Sequence, residues 1–189
     1  MLTGTNQSGA IAGGDVVGRD KVVNEYNLAP SGIVAKLEAL KACLEEEMKN
    51  NKTVEEIVES LQLYHIRRPP ADGIAGLECK LRVGKREPEI SDAMEQKEIF
   101  AKLLERWSLY ASAQEIIAHL LSRVVHEFRQ FIQPQLGQIQ QDSYNLIVTE
   151  RIVYPIVDEV GIGAFRIDHQ TVMGMFYWLA EQCYVRWHK

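Results

Sequence analysis

The sequence has few cysteines, no excess of positive charge and no long apolar run. Its 189 residues include three cysteines, Cys43, Cys79 and Cys183. Their odd number and wide spacing are unlike zinc-binding or redox motifs. We therefore expect reduced, buried thiols, and we expect neither a disulfide nor a metal centre built on cysteine.

Charge and hydropathy limit the partners and the location of the chain. The formal net charge is -5 and the pI is about 5.6, so the chain as a whole does not attract a polyanion. Direct nucleic-acid binding would need a local basic patch, and only short basic runs are present. The N-terminus has no basic start followed by an apolar block, and no apolar run approaches membrane-spanning length. These features predict a cytoplasmic chain that binds neither nucleic acid nor a membrane.

Signatures of common catalytic sites are also missing. No serine lies in a nucleophile-elbow pattern, and no cysteine has the local signature of a thiol enzyme. The spacing of Gly13 and Gly18 resembles a phosphate-binding loop, but Arg19 and Asp20 stand where that loop needs a lysine and a hydroxyl. We predict no nucleotide, no other cofactor and no catalytic residue, and hence a chain that is not an enzyme.

Within residues 1–30, pairs of adjacent apolar residues recur every six positions. Gly, Asp, Arg, Lys and Asn separate the pairs, a composition typical of brief β-strands joined by tight turns. One such unit cannot bury its apolar side, and residues 29–32 form a linker, so we expect the neighbouring units to come from other copies of the chain. The alternatives are an arm that folds back on its own domain and a disordered tail with a chance pattern. The predicted self-association residues are Ile11, Val16, Val17, Val22 and Val23.

From residue 31 onwards, apolar residues recur every three or four positions, as in amphipathic helices. We predict a mainly α protein, with one helical domain of about six to seven helices over residues 31–189, preceded by the short β-forming arm of residues 1–30. Thr53 and Glu56 have the form of a capping box, which predicts that the second helix begins there. Pro155 is expected to interrupt or kink the sixth helix, and β-branched residues around it leave a strand as an alternative. The predicted helices cover residues 31–50, 53–67, 73–83, 89–107, 112–133, 142–160 and 169–187.

The helix predicted over residues 112–133 has the clearest division into two faces. Glu115, His119 and His126 lie on one side at spacings of four and seven residues, and two histidines with a carboxylate could bind zinc. Other polar residues share that side, so we interpret it as a solvated face. The opposite face, expected to be buried, comprises Ile117, Leu120, Leu121, Val124, Phe128 and Phe131.

The aromatic C-terminal stretch has the helical spacing of a core helix. Its large apolar side chains include Val172, Met175, Phe176, Leu179 and Trp187. A glycine within it, Gly174, is expected to let a neighbouring helix approach closely.

Several stretches taken together resemble a known family. They are GDVVGRDKV at 14–22, ISDAMEQKEIFAKLL at 90–104, SAQEIIAHLLSRVVHEFRQFIQPQL at 112–136 and GMFYWLAEQCYVRW at 174–187. Their combination resembles the C-terminal domain family of bacterial ABC-three-component conflict systems. That resemblance implies a role in anti-phage defence, beside an ABC ATPase related to the chromosome-maintenance and DNA-repair ATPases, a small middle component and an effector. It implies an adaptor domain without catalytic residues.

The residues and the resemblance together predict a non-catalytic, oligomerising adaptor. It would self-associate through its N-terminal arm and dock onto larger defence subunits, including the ABC ATPase. Because the chain starts almost at the arm, with no enzymatic domain ahead of it, we expect a free-standing subunit. The alternative is a small metal-dependent hydrolase or nuclease whose site combines Glu115, His119 and His126 with distant carboxylates. A third hypothesis is an inhibitor or immunity-type protein that binds one partner tightly.

Overall fold

The computed structural model describes residues 32–70 and 72–187, without the side chains of residues 141 and 142. Every regular element in these ranges is helical, which confirms the predicted helical body. The predicted β arm of residues 1–30, with all five self-association residues, lies outside the described residues. Within the described ranges the seven helices are α1 (Gly32–Lys49), α2 (Glu59–His65), α3 (Leu77–Val83), α4 (Ile90–Trp107), α5 (Ala111–Glu127), α6 (141–160) and α7 (His169–Glu181).

Two of the helices contain a π turn. Helix α5 continues into π-helical Phe128–Ile132, and α6 consists of Gln141–Val148, π-helical Thr149–Val153 and Tyr154–Val160. A π turn holds one residue more than an α turn, which rotates the residues that follow it. Ile132 is therefore fully buried, whereas the predicted core residue Phe131 is 41% exposed.

The π turn of α6 lies next to Pro155, which has no N–H to donate into the preceding helical turn. The chain accommodates the proline there and remains helical to Val160. The predicted interruption is limited to this π turn, because residues 141–160 remain helical throughout, and the strand alternative for this region is wrong.

Helix α7 lies at the centre of the core and packs most extensively against α4. All residues of α7 from Val172 to Ala180 are buried except Met173, which is half-buried. Gly174 is the point of closest approach, because a Cβ atom built there would lie 2.3 Å from the backbone oxygen of Gln96 and 2.8 Å from Cβ of Phe100. The predicted close helix contact at Gly174 is confirmed.

The capping box predicted at Thr53 is wrong, because residues 53–58 are not helical and α2 begins only at Glu59. Residues outside this segment form hydrogen bonds with its backbone groups instead. The N–H of Val54 donates to the carbonyl of Leu109 at 2.9 Å. The N–H of Val58 donates to Oε1 of Gln114 at 2.6 Å, and Nε2 of that fully buried glutamine donates to the carbonyl of Glu56 at 3.1 Å. One side chain from α5 thus holds the end of this segment in a non-helical path.

The ends of α3 and α7 also differ from the prediction. Helix α3 begins at Leu77 rather than residue 73, because Gly76 has a φ of 83°, which an L side chain rarely adopts. Helix α7 ends at Glu181 rather than residue 187, and Cys183 takes a positive φ of 65°. The two ends meet, since Oε2 of Glu181 accepts a hydrogen bond from the N–H of Leu77 at 2.8 Å.

Two buried lysines satisfy the C-terminal carbonyls of other helices. Nζ of Lys41 on α1 donates to the carbonyl of Val160, the last residue of α6, at 2.9 Å. Nζ of Lys80 on α3, which is fully buried, donates to the carbonyl of Ala180 near the end of α7. Carbonyls at a helix C-terminus have no partner within the helix and carry partial negative charge, so an ammonium group is a favourable partner. Each lysine therefore ties two helices together.

The cysteines are all free thiols, but the prediction that they are buried is wrong for two of them. Cys43 and Cys79 are exposed, and Cys183 alone of the three is buried, with its Sγ 3.1 Å from Nζ of Lys80. In the described part of the chain no helix is both long enough and apolar enough to cross a bilayer.

Candidate functional site

A groove of about 480 Å³ lies between α1, α2 and α5. Leu37 of α1 and Ala118 of α5 are buried in it, while Ile33 of α1 and Leu63 of α2 are 50% and 60% exposed. An aliphatic side chain gains about 1.5–3 kcal/mol when it becomes fully buried. A protein partner that covers these two exposed side chains would therefore gain binding free energy.

The groove also presents polar groups among its apolar walls. Lys36, Glu115 and His119 lie along it, and the hydroxyl of Ser60 is buried without a hydrogen-bond partner among the described residues. An apolar strip with a few polar groups is the type of surface that receives one face of an amphipathic helix.

Glu115, His119 and His126, the candidate metal ligands, do not converge on one point. Glu115 and His119 both line the groove, whereas His126 lines a separate depression with Arg68 and Arg129. No group of three potential metal-ligating side chains that could hold an ion occurs among the residues that the structure describes.

His119 is paired with a carboxylate that sequence reasoning missed. Its Nε2 lies 2.7 Å from Oε1 of Glu159 on α6, whose side chain is only 10% exposed. Nε of Arg123 lies 3.6 Å from the other oxygen of Glu159. His119 therefore lies on a partly exposed face, as expected, and its ring also joins α5 to α6.

This network constrains what the site can do chemically. A histidine and an arginine already contact the two oxygens of Glu159, so a metal ion there would have to displace a cation that lies 3.6 Å from the carboxylate. The carboxylate orients His119 and anchors α6 against α5. The geometry suits a rigid wall for the groove better than it suits a metal centre.

Comparison with known families places part of the chain in a described family. Residues 76–187, more than half of the chain, match the family described as C-terminal domain 9 (CTD9) of the ABC-three component (ABC-3C) systems. The range covers α3 to α7, and therefore the α5 side of the groove, while α1 and α2 precede it. No curated protein and no solved structure matches the chain significantly.

Proposed function

The chain belongs to the CTD9 family and is a component of an ABC-three-component anti-phage system, and we propose that within this system it acts as a non-catalytic, oligomerising adaptor. The family match over residues 76–187 carries the proposal, because it places the chain among subunits that work with others. The adaptor would couple an effector to the ABC ATPase of the system.

The groove between α1, α2 and α5 is the docking surface in this proposal, and its occupant is an amphipathic helix of a partner subunit. Exposed Ile33 and Leu63 would contact the apolar face of that helix. Lys36 and Glu115 would pair with charges beside that face. Short apolar anchors with flanking charges give such a complex its register and specificity.

Affinity purification of the tagged full chain, expressed with the other subunits of its system, tests this docking. Leu63→Asp places a charge in the groove, and we expect it to abolish recovery of the ABC ATPase. Leu146→Asp on α6 is the matched control, since Leu146 is 58% exposed and does not line the groove. Circular dichroism of both variants checks that they remain folded. Recovery of the ATPase with a folded Leu63→Asp variant would remove the groove from the proposal.

Self-association through residues 1–30 is the second part of the proposal. Its support is the six-residue repeat of apolar pairs, because each buried valine could contribute about 1.5–3 kcal/mol before the entropy of association is subtracted. Val17→Asp combined with Val23→Asp should reduce the mass measured by light scattering to that of the monomer, with unchanged helical content. An unchanged mass would remove the arm from the proposal.

The absence of catalysis is the third part of the proposal, and the contacts of Glu159 with His119 and Arg123 support it. Metal analysis of the purified protein should find less than one equivalent of zinc or manganese. A stoichiometric metal ion that disappears in His119→Ala would favour the hydrolase or nuclease instead.

A further inference from the structure

A basic depression adjoins the groove of the proposed docking. It has a volume of about 380 Å³ and lies between the end of α2, helix α5 with its π turn, and the segment after α7. The depression and the groove share three wall residues, which are Leu63, Tyr64 and Ser122. A peptide that leaves the groove past these three residues therefore enters the depression.

The charged side chains of this depression are positive. Arg68 and Arg129 line it, both are exposed, and the described residues of its wall include no aspartate or glutamate. Neither guanidinium forms an ion pair within the described part of the chain. His126, which is also exposed, adds an imidazole N–H that can donate a hydrogen bond. Two positive charges on one concave surface favour an anionic occupant.

Arg68 is held in place by contacts with the segment after α7. Its backbone N–H donates to the carbonyl of Gln182 at 3.0 Å, and its guanidinium carbon lies 4.0 Å from the centre of the Tyr184 ring. The hydroxyl of Tyr184 donates in turn to the carbonyl of Leu63 at the end of α2. A cation–π contact fixes a guanidinium without using an oxygen acceptor, so the N–H groups of Arg68 remain available to a ligand. Because Arg68 is already positioned, binding costs less side-chain entropy.

Carboxylate and phosphate are the two groups that arginine binds best. A short acidic peptide needs only these two local charges, whereas a nucleic acid brings a charge at every phosphate to a chain whose formal net charge is -5. The adjoining groove exposes Ile33 and Leu63, which an apolar helix face covers and a sugar–phosphate backbone does not. We propose that the depression binds an acidic peptide segment, continuous with the amphipathic helix that docks in the groove. The continuity with that helix rests on the proposed function.

Fluorescence anisotropy of a labelled hexaglutamate peptide, titrated with the full chain, tests the acidic site without any other subunit. We expect saturable binding at low ionic strength that weakens as salt is added, because salt screens exposed charges. Hexaglutamine, which has the same length without the charge, should not bind. Absence of hexaglutamate binding, or equal binding of hexaglutamine, would overturn the proposal.

Two substitutions test whether the arginines of the depression are responsible. Arg68→Gln and Arg129→Gln should each raise the Kd for hexaglutamate about three- to fivefold, as expected for one exposed ion pair. Arg166→Gln is the matched control, since Arg166 is exposed and does not line the depression, and its Kd should stay the same. Circular dichroism checks that all three variants remain folded. Unchanged binding in both Arg68→Gln and Arg129→Gln, or an equal loss in Arg166→Gln, would contradict the assigned site.

A thymidine hexanucleotide tests the other class of anion. Tighter binding of the hexanucleotide than of hexaglutamate, weakened by the same two substitutions, would replace the acidic peptide by a nucleic acid.

Recovery of the ABC ATPase with the tagged chain separates this inference from the proposed function. Recovery of the ATPase without hexaglutamate binding would remove the acidic site and leave the docking in the groove. Hexaglutamate binding that depends on Arg68 and Arg129, without recovery of the ATPase, would support the acidic site and remove the adaptor function.

Discussion

Gly174→Ala should destabilise the protein although alanine is the better helix former. In an unhindered helix interior, replacing glycine by alanine gains about 0.5–1 kcal/mol. At Gly174 the new Cβ atom would lie 2.3 Å from the backbone oxygen of Gln96, about 1 Å closer than an ordinary contact of 3.4 Å. A backbone oxygen cannot rotate away, so α4 and α7 must separate and lose contacts around Phe100. Overpacking of this kind costs about 3 kcal/mol or more, which leaves a net loss of about 2 kcal/mol.

Thermal unfolding followed by circular dichroism measures this loss. For a chain of this size, 1 kcal/mol changes Tm by about 2–4 °C, so Gly174→Ala should lower Tm by about 4–8 °C. Gly32→Ala is the matched control, because Gly32 is also helical and no atom of the described residues lies within 4 Å of a Cβ atom built there. Its Tm should stay the same or rise slightly. A Gly174→Ala variant as stable as the unmodified chain would refute the close packing of α4 on α7.

Three further substitutions test other contacts by thermal or urea unfolding. Gln114→Leu leaves the backbone groups that Gln114 holds in the 53–58 segment unpaired, so it should lower the free energy of unfolding by about 2–4 kcal/mol. Gln138 is exposed, so the control Gln138→Leu should leave this free energy almost unchanged. Equal stability of the two variants would mean that the segment does not depend on Gln114. Lys80→Ala removes a fully buried side chain and the partner of the Ala180 carbonyl, so it should lower the free energy of unfolding by about 2–5 kcal/mol. A variant as stable as the unmodified chain would contradict the burial of Lys80. Asp168→Ala should cost about 1 kcal/mol, because its carboxylate caps α7. The backbone and hydroxyl hydrogen bonds from Thr171 lower the pKa of Asp168 in the folded chain. This stabilisation is therefore complete above the unfolded pKa of about 3.9 and is lost as pH falls through the lower folded pKa. A stability difference between Asp168→Ala and the unmodified chain that does not shrink as pH falls below about 3.9 would contradict this assignment.

Apolar periodicity was enough to predict most helices, because burial of one face is a local property of sequence. Ile117, Leu120 and Val124 of α5 lie at predicted core positions and are fully buried. The predictions that failed did so because of contacts with residues distant in sequence or because of a change in helical geometry. Thr53 and Glu56 match a capping box, but a glutamine on α5 satisfies the segment instead. Phe131 continues the apolar spacing of α5, but a π turn brings Ile132 into the core in its place.

The candidate site was less predictable than the fold, because its contacts join residues far apart in sequence. The spacing of Glu115 and His119 correctly places both on one side of α5. Nothing near them in sequence indicates that Glu159, on another helix, is the partner of His119. The burial of Arg86 against two aromatic rings could not be predicted either, because a short basic run does not indicate that one of its members becomes buried.

The groove is built from two parts of the chain. Helices α1 and α2 contribute Ile33 and Leu63 to it and precede the matched range, whereas Glu115 and His119 on its other side lie within that range. Docking at the groove therefore needs the helices before residue 76 as well as the family domain. Leu63→Asp should abolish this docking, whereas Leu146→Asp should leave it unchanged, because Leu146 does not line the groove.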